Sequence, residues 1–144
     1  MSDRLGGQGI EPTGYVVQRM VPDGTEMFVG MTSDPTFGPV IAVGAGGTAV
    51  EIMKDIAVRI TPITDLDAHD MLRELTMFPL LDGYRGGERM DVHEIEGVLL
   101  RVSALVEDHP GIAELDLNPV MALARGAVVV DARIQVAPHA DPRG

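Results

Sequence analysis

The stretch Ala113-Glu114-Leu115-Asp116-Leu117-Asn118-Pro119 alternates polar and apolar side chains at the period of a β-strand. Asp116 and Asn118 therefore project from one face, with Leu115 and Leu117 on the other. A second strand-like run, 127–136, follows Ala124-Arg125-Gly126, and the midpoint of positions 118 and 131 falls at 124.5, within that turn. A hairpin closed there sets Asp131 opposite Asn118 to within a residue. Two carboxylates and an amide oxygen on adjacent strands are hard oxygen donors. They suit Mg²⁺, which keeps several waters and usually shares its shell with substrate phosphates. The alternative is that Asp116 and Asp131 are solvated acids on an open sheet face. Asp131 follows Val128-Val129-Val130 in what reads as an interior strand, where a carboxylate wants a partner.

Other groups are less specific. Gly44-Ala45-Gly46-Gly47 ends a strand-like run and could let main-chain N–H groups approach a phosphate, or be no more than a turn. It does not fit G-x-x-x-x-G-K-[ST]. Lys54, Arg59 and Arg85 are the basic residues nearest these features, and Arg85 lies in Gly83-Tyr84-Arg85-Gly86-Gly87. Each could neutralise a phosphate or carboxylate, or be a solvated surface group. His69, His93, His109 and His139 share no metal-ligand spacing and read as surface or cap residues. The absence of cysteine removes disulfides, thiolate metal sites and cysteine nucleophiles together, and no serine-histidine pairing supports a self-contained hydrolase.

The elements that must position these residues fit in one domain. At 144 residues and 45% hydrophobic, the chain can bury a single core. Its net charge of -11 repels a phosphodiester backbone, so nucleic acid is not an expected partner, although a small anion held by metal and main chain is still compatible. No apolar run approaches the roughly 20 residues that span a bilayer, and the first residues resemble no signal, so a soluble cytoplasmic protein without a membrane is expected.

Residues 1–13 read as a disordered lead-in, 14–137 as the folded unit and 138–144 as a disordered tail. Apolar runs at 15–20 and 27–32 flank Val21-Pro22-Asp23-Gly24 and read as a hairpin. Runs at 39–43, 49–52 and 56–60 are further strands. Thr64 caps a helix over 64–75 whose inner face carries Met71, Leu72 and Leu75, and Asp91 caps a second that runs to about 107. Its apolar residues Ile95, Val98, Leu99, Val102, Leu105 and Val106 recur at helical spacing, and Pro110-Gly111 ends it. Strands at 113–121 and 127–136 complete an α+β domain, mostly antiparallel sheet with two packed helices.

Four ordered blocks carry a resemblance: VVQRMVPDGTEMFVGMTSDPTFGPV, GAGGTAVEIMKDIAVRITP, FPLLDGYRGGERMD, and ELDLNPV with VVVDARI. Covering nearly all of residues 14–136, they resemble the C-terminal part of the ATP-grasp domain of ADP-forming acetyl-CoA and acyl-CoA synthetases, relatives of the succinyl-CoA synthetase beta subunit. The resemblance implies that Gln18, Met20 and Val21 line an adenine pocket and that Glu26 holds the ribose hydroxyls. It implies that Asp116, Asn118 and Asp131 hold Mg²⁺ between the phosphates of ATP or ADP. Gly46, Gly47, Glu51, Lys54 and Arg85 look like residues of the phosphoryl-transfer and partner-facing side, with Lys54 and Arg85 as the catalytic candidates.

The implied chemistry interconverts acid, CoA and ATP with acyl-CoA, ADP and phosphate through a carried phosphohistidine. None of the four histidines matches that motif, so the relay is expected elsewhere. The resemblance also implies partners: the missing N-terminal ATP-grasp half, which bears the lysine strands and lid, and a CoA-binding subunit or domain. On this reading the chain is a natural fragment, a separate subunit or a remnant. The alternative is a non-catalytic module that keeps the fold for interaction.

Overall fold

A computed structural model describes residues 24–46, 55–83 and 86–137. Six strands and three helices follow in the order β1 (Thr25–Asp34), β2 (Gly38–Ala45), β3 (Ile56–Ile60), α1 (Asp65–Glu74), α2 (Phe78–Leu81), α3 (Val92–Asp108), β4 (Ile112–Ala122), β5 (Ala127–Val129) and β6 (Ala132–Val136). Every strand pair is antiparallel. The sheet runs β3-β2-β1-β4-β5, and β6 pairs with β4 beside β5. This is the expected α+β class. The expected strand at 49–52 and the run at 15–20 lie outside the described residues. Among the described residues no helix is long and apolar enough to cross a membrane.

Turn chemistry builds the β1–β2 hairpin. The Asp34 carboxylate accepts from the N–H groups of Thr36 at 2.7 Å and Phe37 at 3.0 Å. Gly38 then takes φ 80°, a left-handed conformation that a side chain would oppose. β1 is paired on one side by β2 and on the other by β4.

α1 and α3 cover one face of the sheet. Alternate residues of the central strands point at them, Met27, Val29 and Met31 from β1 and Ile41 and Val43 from β2, all buried. They meet Met71 and Leu72 of α1 and Ile95, Leu99, Val102 and Val106 of α3 in one core. Both helices start where expected. Thr64 accepts from the Asp67 N–H at 3.1 Å while the Asp67 carboxylate accepts from the Thr64 N–H at 2.9 Å, a reciprocal capping box. Asp91 caps α3 through the Glu94 N–H at 3.2 Å. The short α2, not expected from the sequence, is held against β3 because Asp55 accepts from the N–H groups of Thr76 at 2.7 Å and Met77 at 2.9 Å.

β4 carries a bulge. Met27 pairs with Val120 but Val29 pairs with Leu117, so Asn118 and Pro119 together stand against Phe28. Pro119 has no N–H to donate, and a bulge is where an interior strand tolerates that loss. The extra residue resets the alternation, which puts Leu115 and Leu117 on the core side before it and Val120 and Ala122 after it.

Candidate functional site

Among the described residues no helix covers the other face of the sheet, and the strand registers order its side chains into rows. One row runs Asp131, Asn118, Phe28, Gly44, Ile56 across β6's start, β4, β1, β2 and β3. The next runs Arg133, Asp116, Gly30, Ala42, Val58. The third runs Gln135, Glu114, Thr32, Val40, Ile60. Neighbours within a row are about 5 Å apart and rows about 7 Å apart. The face is therefore acidic and polar over β4 and β6, apolar over β2 and β3, and lacks bulk at Gly30 and Ala42.

The segments that carry the oxygen donors pair as the hairpin arithmetic requires. The Asn118 N–H donates to the Asp131 carbonyl at 3.0 Å, and the Val130 N–H to the Pro119 carbonyl at 2.9 Å. These bonds continue the register in which Val120 faces Val129 and Leu117 faces Ala132. Asp116 lies two residues from Asn118 on β4 and so on the same face, both exposed. The environment of Asp131 corrects the sequence reading: β5 and β6 form a sheet edge, Val128, Val129 and Val130 are 38%, 40% and 37% exposed, and the Asp131 side chain is 58% exposed. Among the described residues its partner is Arg133, with Nε 4.0 Å from Oδ2. No hydrogen bond among the described residues engages the side chains of Asp116, Asn118 or Asp131. Among those residues no three His, Cys, Asp or Glu side chains converge on a metal position. The set is two carboxylates and an amide, a donor chemistry that fits a hard cation retaining waters and a shared ligand.

Glu26 opens β1 opposite Met121 and is exposed on this same face. It precedes Gly30 by four residues, about 13 Å along the strand. The Gly46 N–H donates to the Glu26 carbonyl at 3.0 Å. The main-chain donor expected at Gly46 is thus taken by the ladder. Gly44 and Ala45 likewise belong to β2 and not to a turn. A Cβ on Gly44 would stand 2.5 Å from the Asp55 carbonyl and 2.7 Å from the Phe28 ring, so glycine there admits the Phe28 ring over β2. Gln18, Met20, Val21, Gly47, Glu51, Lys54 and Arg85 lie outside the described residues.

Arg59 is not a ligand group of this face. It projects toward the helices and pairs with Glu74 of α1, with Nη1 3.2 Å from Oε1 and a second contact from Nη2 to Oε2. The hydrogen bond to Glu74 raises the Arg59 pKa, and the same bond holds the Glu74 carboxyl below its ordinary value. His69 and His93 lie near Glu96 on the helix layer, His109 follows α3, and none reaches the open face. Arg133 and Gly30 were missed in the sequence, although the arithmetic that pairs 118 with 131 also pairs 116 with 133.

A depression of about 450 Å³ lies beside the oxygen donors, lined by Phe28, Gly30, Thr32, Val40, Ala42 and Val58 and rimmed by Glu114 and Asp116. Open-face acids thus border an apolar floor, with the Glu26 carboxylate toward the start of β1, donors that suit a hard cation.

Comparison with known proteins identifies the family of the fold. The family described as ATP-grasp domain matches residues 3–136. An ADP-forming acetate–CoA ligase I of Archaeoglobus fulgidus is 49% identical over 121 residues, which cover 84% of this chain and 18% of the relative. The beta subunit of ADP-forming acetate–CoA ligase II of Pyrococcus furiosus is 48% identical over 124 residues, 84% of this chain and 52% of the relative. The chain thus spans about half or less of the length of these relatives. Among solved structures, acetyl-coenzyme A synthetase 1 of Candidatus Korarchaeum cryptofilum, in complex with coenzyme A and Mg-AMPPCP, superimposes with a TM-score of 0.77 at 40% identity, covering 81% of this chain and 55% of that one. The chain belongs to the ATP-grasp domain family, and these relatives within it are ADP-forming acetate–CoA ligases.

Proposed function

We infer that the chain is the nucleotide- and Mg²⁺-binding part of an ADP-forming acyl-CoA synthetase, which joins an acid to CoA with ATP and releases ADP and phosphate. The observation that carries this reading is the row of Asp131 and Asn118 beside Asp116, three oxygen donors on one open face. It is supported by the likeness to a synthetase solved with Mg-AMPPCP. A bound Mg²⁺ would neutralise phosphate charge as it develops during transfer.

The chain's own residues hold and orient. Asn118 and Asp131 supply ligand oxygens from neighbouring strands whose register is fixed by main-chain hydrogen bonds, so little ordering remains on binding. Asp116 supplies a third oxygen, and Glu26 accepts the ribose hydroxyls at the other end of β1. Phe28, Val40 and Val58 make the floor beside the phosphates apolar. Gln18, Met20 and Val21 at the base, Gly47 near the phosphates, and Lys54 and Arg85 on the transfer side complete the assignment by resemblance. A preceding ATP-grasp half and a CoA-binding subunit or domain are the partners that complete the reaction, and the phosphohistidine is theirs.

Calorimetric titration tests this reading. Mg-ADP is expected to bind the chain weakly by itself, and more tightly when the N-terminal ATP-grasp half of a relative is added. No heat in either sample refutes the assignment.

A further inference from the structure

Resting on the nucleotide reading above, we propose that Gly30 is a positioning residue that discriminates by phosphate number: its missing side chain leaves room for the terminal phosphoryl group of a nucleoside triphosphate. Along β1 the open-face positions are Glu26, Phe28, Gly30 and Thr32, spaced by about 7 Å. With the ribose at Glu26 and the inner phosphates at Asn118 and Asp131, the phosphate chain extends toward the row of Asp116, Gly30 and Ala42. Phe28 does not block that path, because its ring is turned toward β2 and lies over Gly44.

Beyond Phe28 the face drops into the depression, whose floor in this row is one glycine and one alanine between Asp116 and Val58. Glycine inside a strand weakens it and gives no packing, and a closely approaching ligand is one physical reason for it. Here two other reasons fail. Gly30 does not have positive φ. Its added Cβ would meet nothing closer than the Leu115 carbonyl at 3.4 Å, so no neighbouring group demands its absence. A larger side chain would rise into the depression. The Asp116 and Glu114 carboxylates on the rim repel a bare phosphate, so the terminal group enters there only with its cation. Apolar Val40 and Val58 border the depression on its other side.

The test is the ratio of two affinities in the Gly30→Val chain, measured by titration with Mg-ADP and with Mg-AMPPCP. Mg-ADP affinity is expected to stay within about twofold of the unsubstituted chain while Mg-AMPPCP weakens by about tenfold or more. Ala42→Leu, which fills the same row from β2, is expected to repeat that selective loss, and Gly30→Ala to show a smaller one. A merely structural role for Gly30 would lower both affinities together. Parallel loss of both nucleotides, or no change in either, overturns the proposal. If the unsubstituted chain binds neither nucleotide, with or without the added half, it is the nucleotide reading itself that fails.

Discussion

Asp91 ties the α3 start to the turn that sets the register of the candidate metal ligands, and its removal makes a sharp test. One carboxylate oxygen accepts from the Glu94 N–H at 3.2 Å, the other from the half-buried Gly126 N–H at 2.8 Å. The Asp91 N–H itself donates to the Leu123 carbonyl at 2.6 Å. Asp91→Ala removes a helix cap, about 1 kcal/mol, and leaves a partly buried N–H without its charged acceptor, about 1–3 kcal/mol. The expected loss is therefore about 2–4 kcal/mol. At a urea dependence of about 2 kcal/mol/M the unfolding midpoint should fall by about 1–2 M. Asp91→Asn keeps one acceptor oxygen and should cost about half as much. Hydrogen exchange should localise the effect: the Asn118 and Val130 amides, which bridge β4 to the return strand, should lose protection before those of α1. That matters for the site, because a slip of one residue in this hairpin turns the Asp131 side chain to the other face. A loss below about 0.5 kcal/mol, or an Asn variant as damaged as the Ala variant, would refute the account.

Asn118→Ala and Asp131→Ala should each remove the Mg²⁺-dependent part of ADP binding in the chain combined with the N-terminal ATP-grasp half of a relative, while leaving the urea midpoint nearly unchanged; titrations with and without Mg²⁺ check this, and survival of the metal dependence in both rejects the ligand assignment. Gly44→Ala should destabilise by about 1–3 kcal/mol by overpacking, since the added methyl meets the Asp55 carbonyl and the Phe28 ring; equilibrium unfolding reads it. The Glu74 carboxyl is held low by Arg59, so its folded-state pKa lies below the unfolded one. The stabilisation is present above the ordinary glutamate pKa and is lost as pH falls through the folded value. Because the pair is exposed, the effect should stay below about 1 kcal/mol; Glu74→Gln should flatten that acidic part of the stability profile relative to the unsubstituted chain.

Much of the candidate site was legible because its oxygen donors sit on one hairpin. Register within a hairpin follows from the turn, so Asn118 and Asp131 could be paired by counting, and the turn at Gly126 bears this out with φ 83°. Arg133 was equally countable and went unread. Gly30 was not legible: nothing local says that it stands between Asp116 and Ala42, because those contacts join strands far apart in sequence. Arg59 failed for the same reason, as its partner Glu74 lies on a helix that the sequence places but does not orient.

Local periodicity and capping chemistry in the chain alone determined α1 from Thr64, α3 from Asp91, β3 at Ile56–Ile60 and the facing of Asp116 with Asn118, since each depends on neighbours within a few residues. Tertiary structure alone decided that β1 is enclosed by β2 and β4, that Asp131 lies on an exposed edge, and that a glycine opens the floor beside Asp116. Those outcomes depend on which distant strands pair, a choice made by burying one common face against two helices and not by any stretch of sequence on its own.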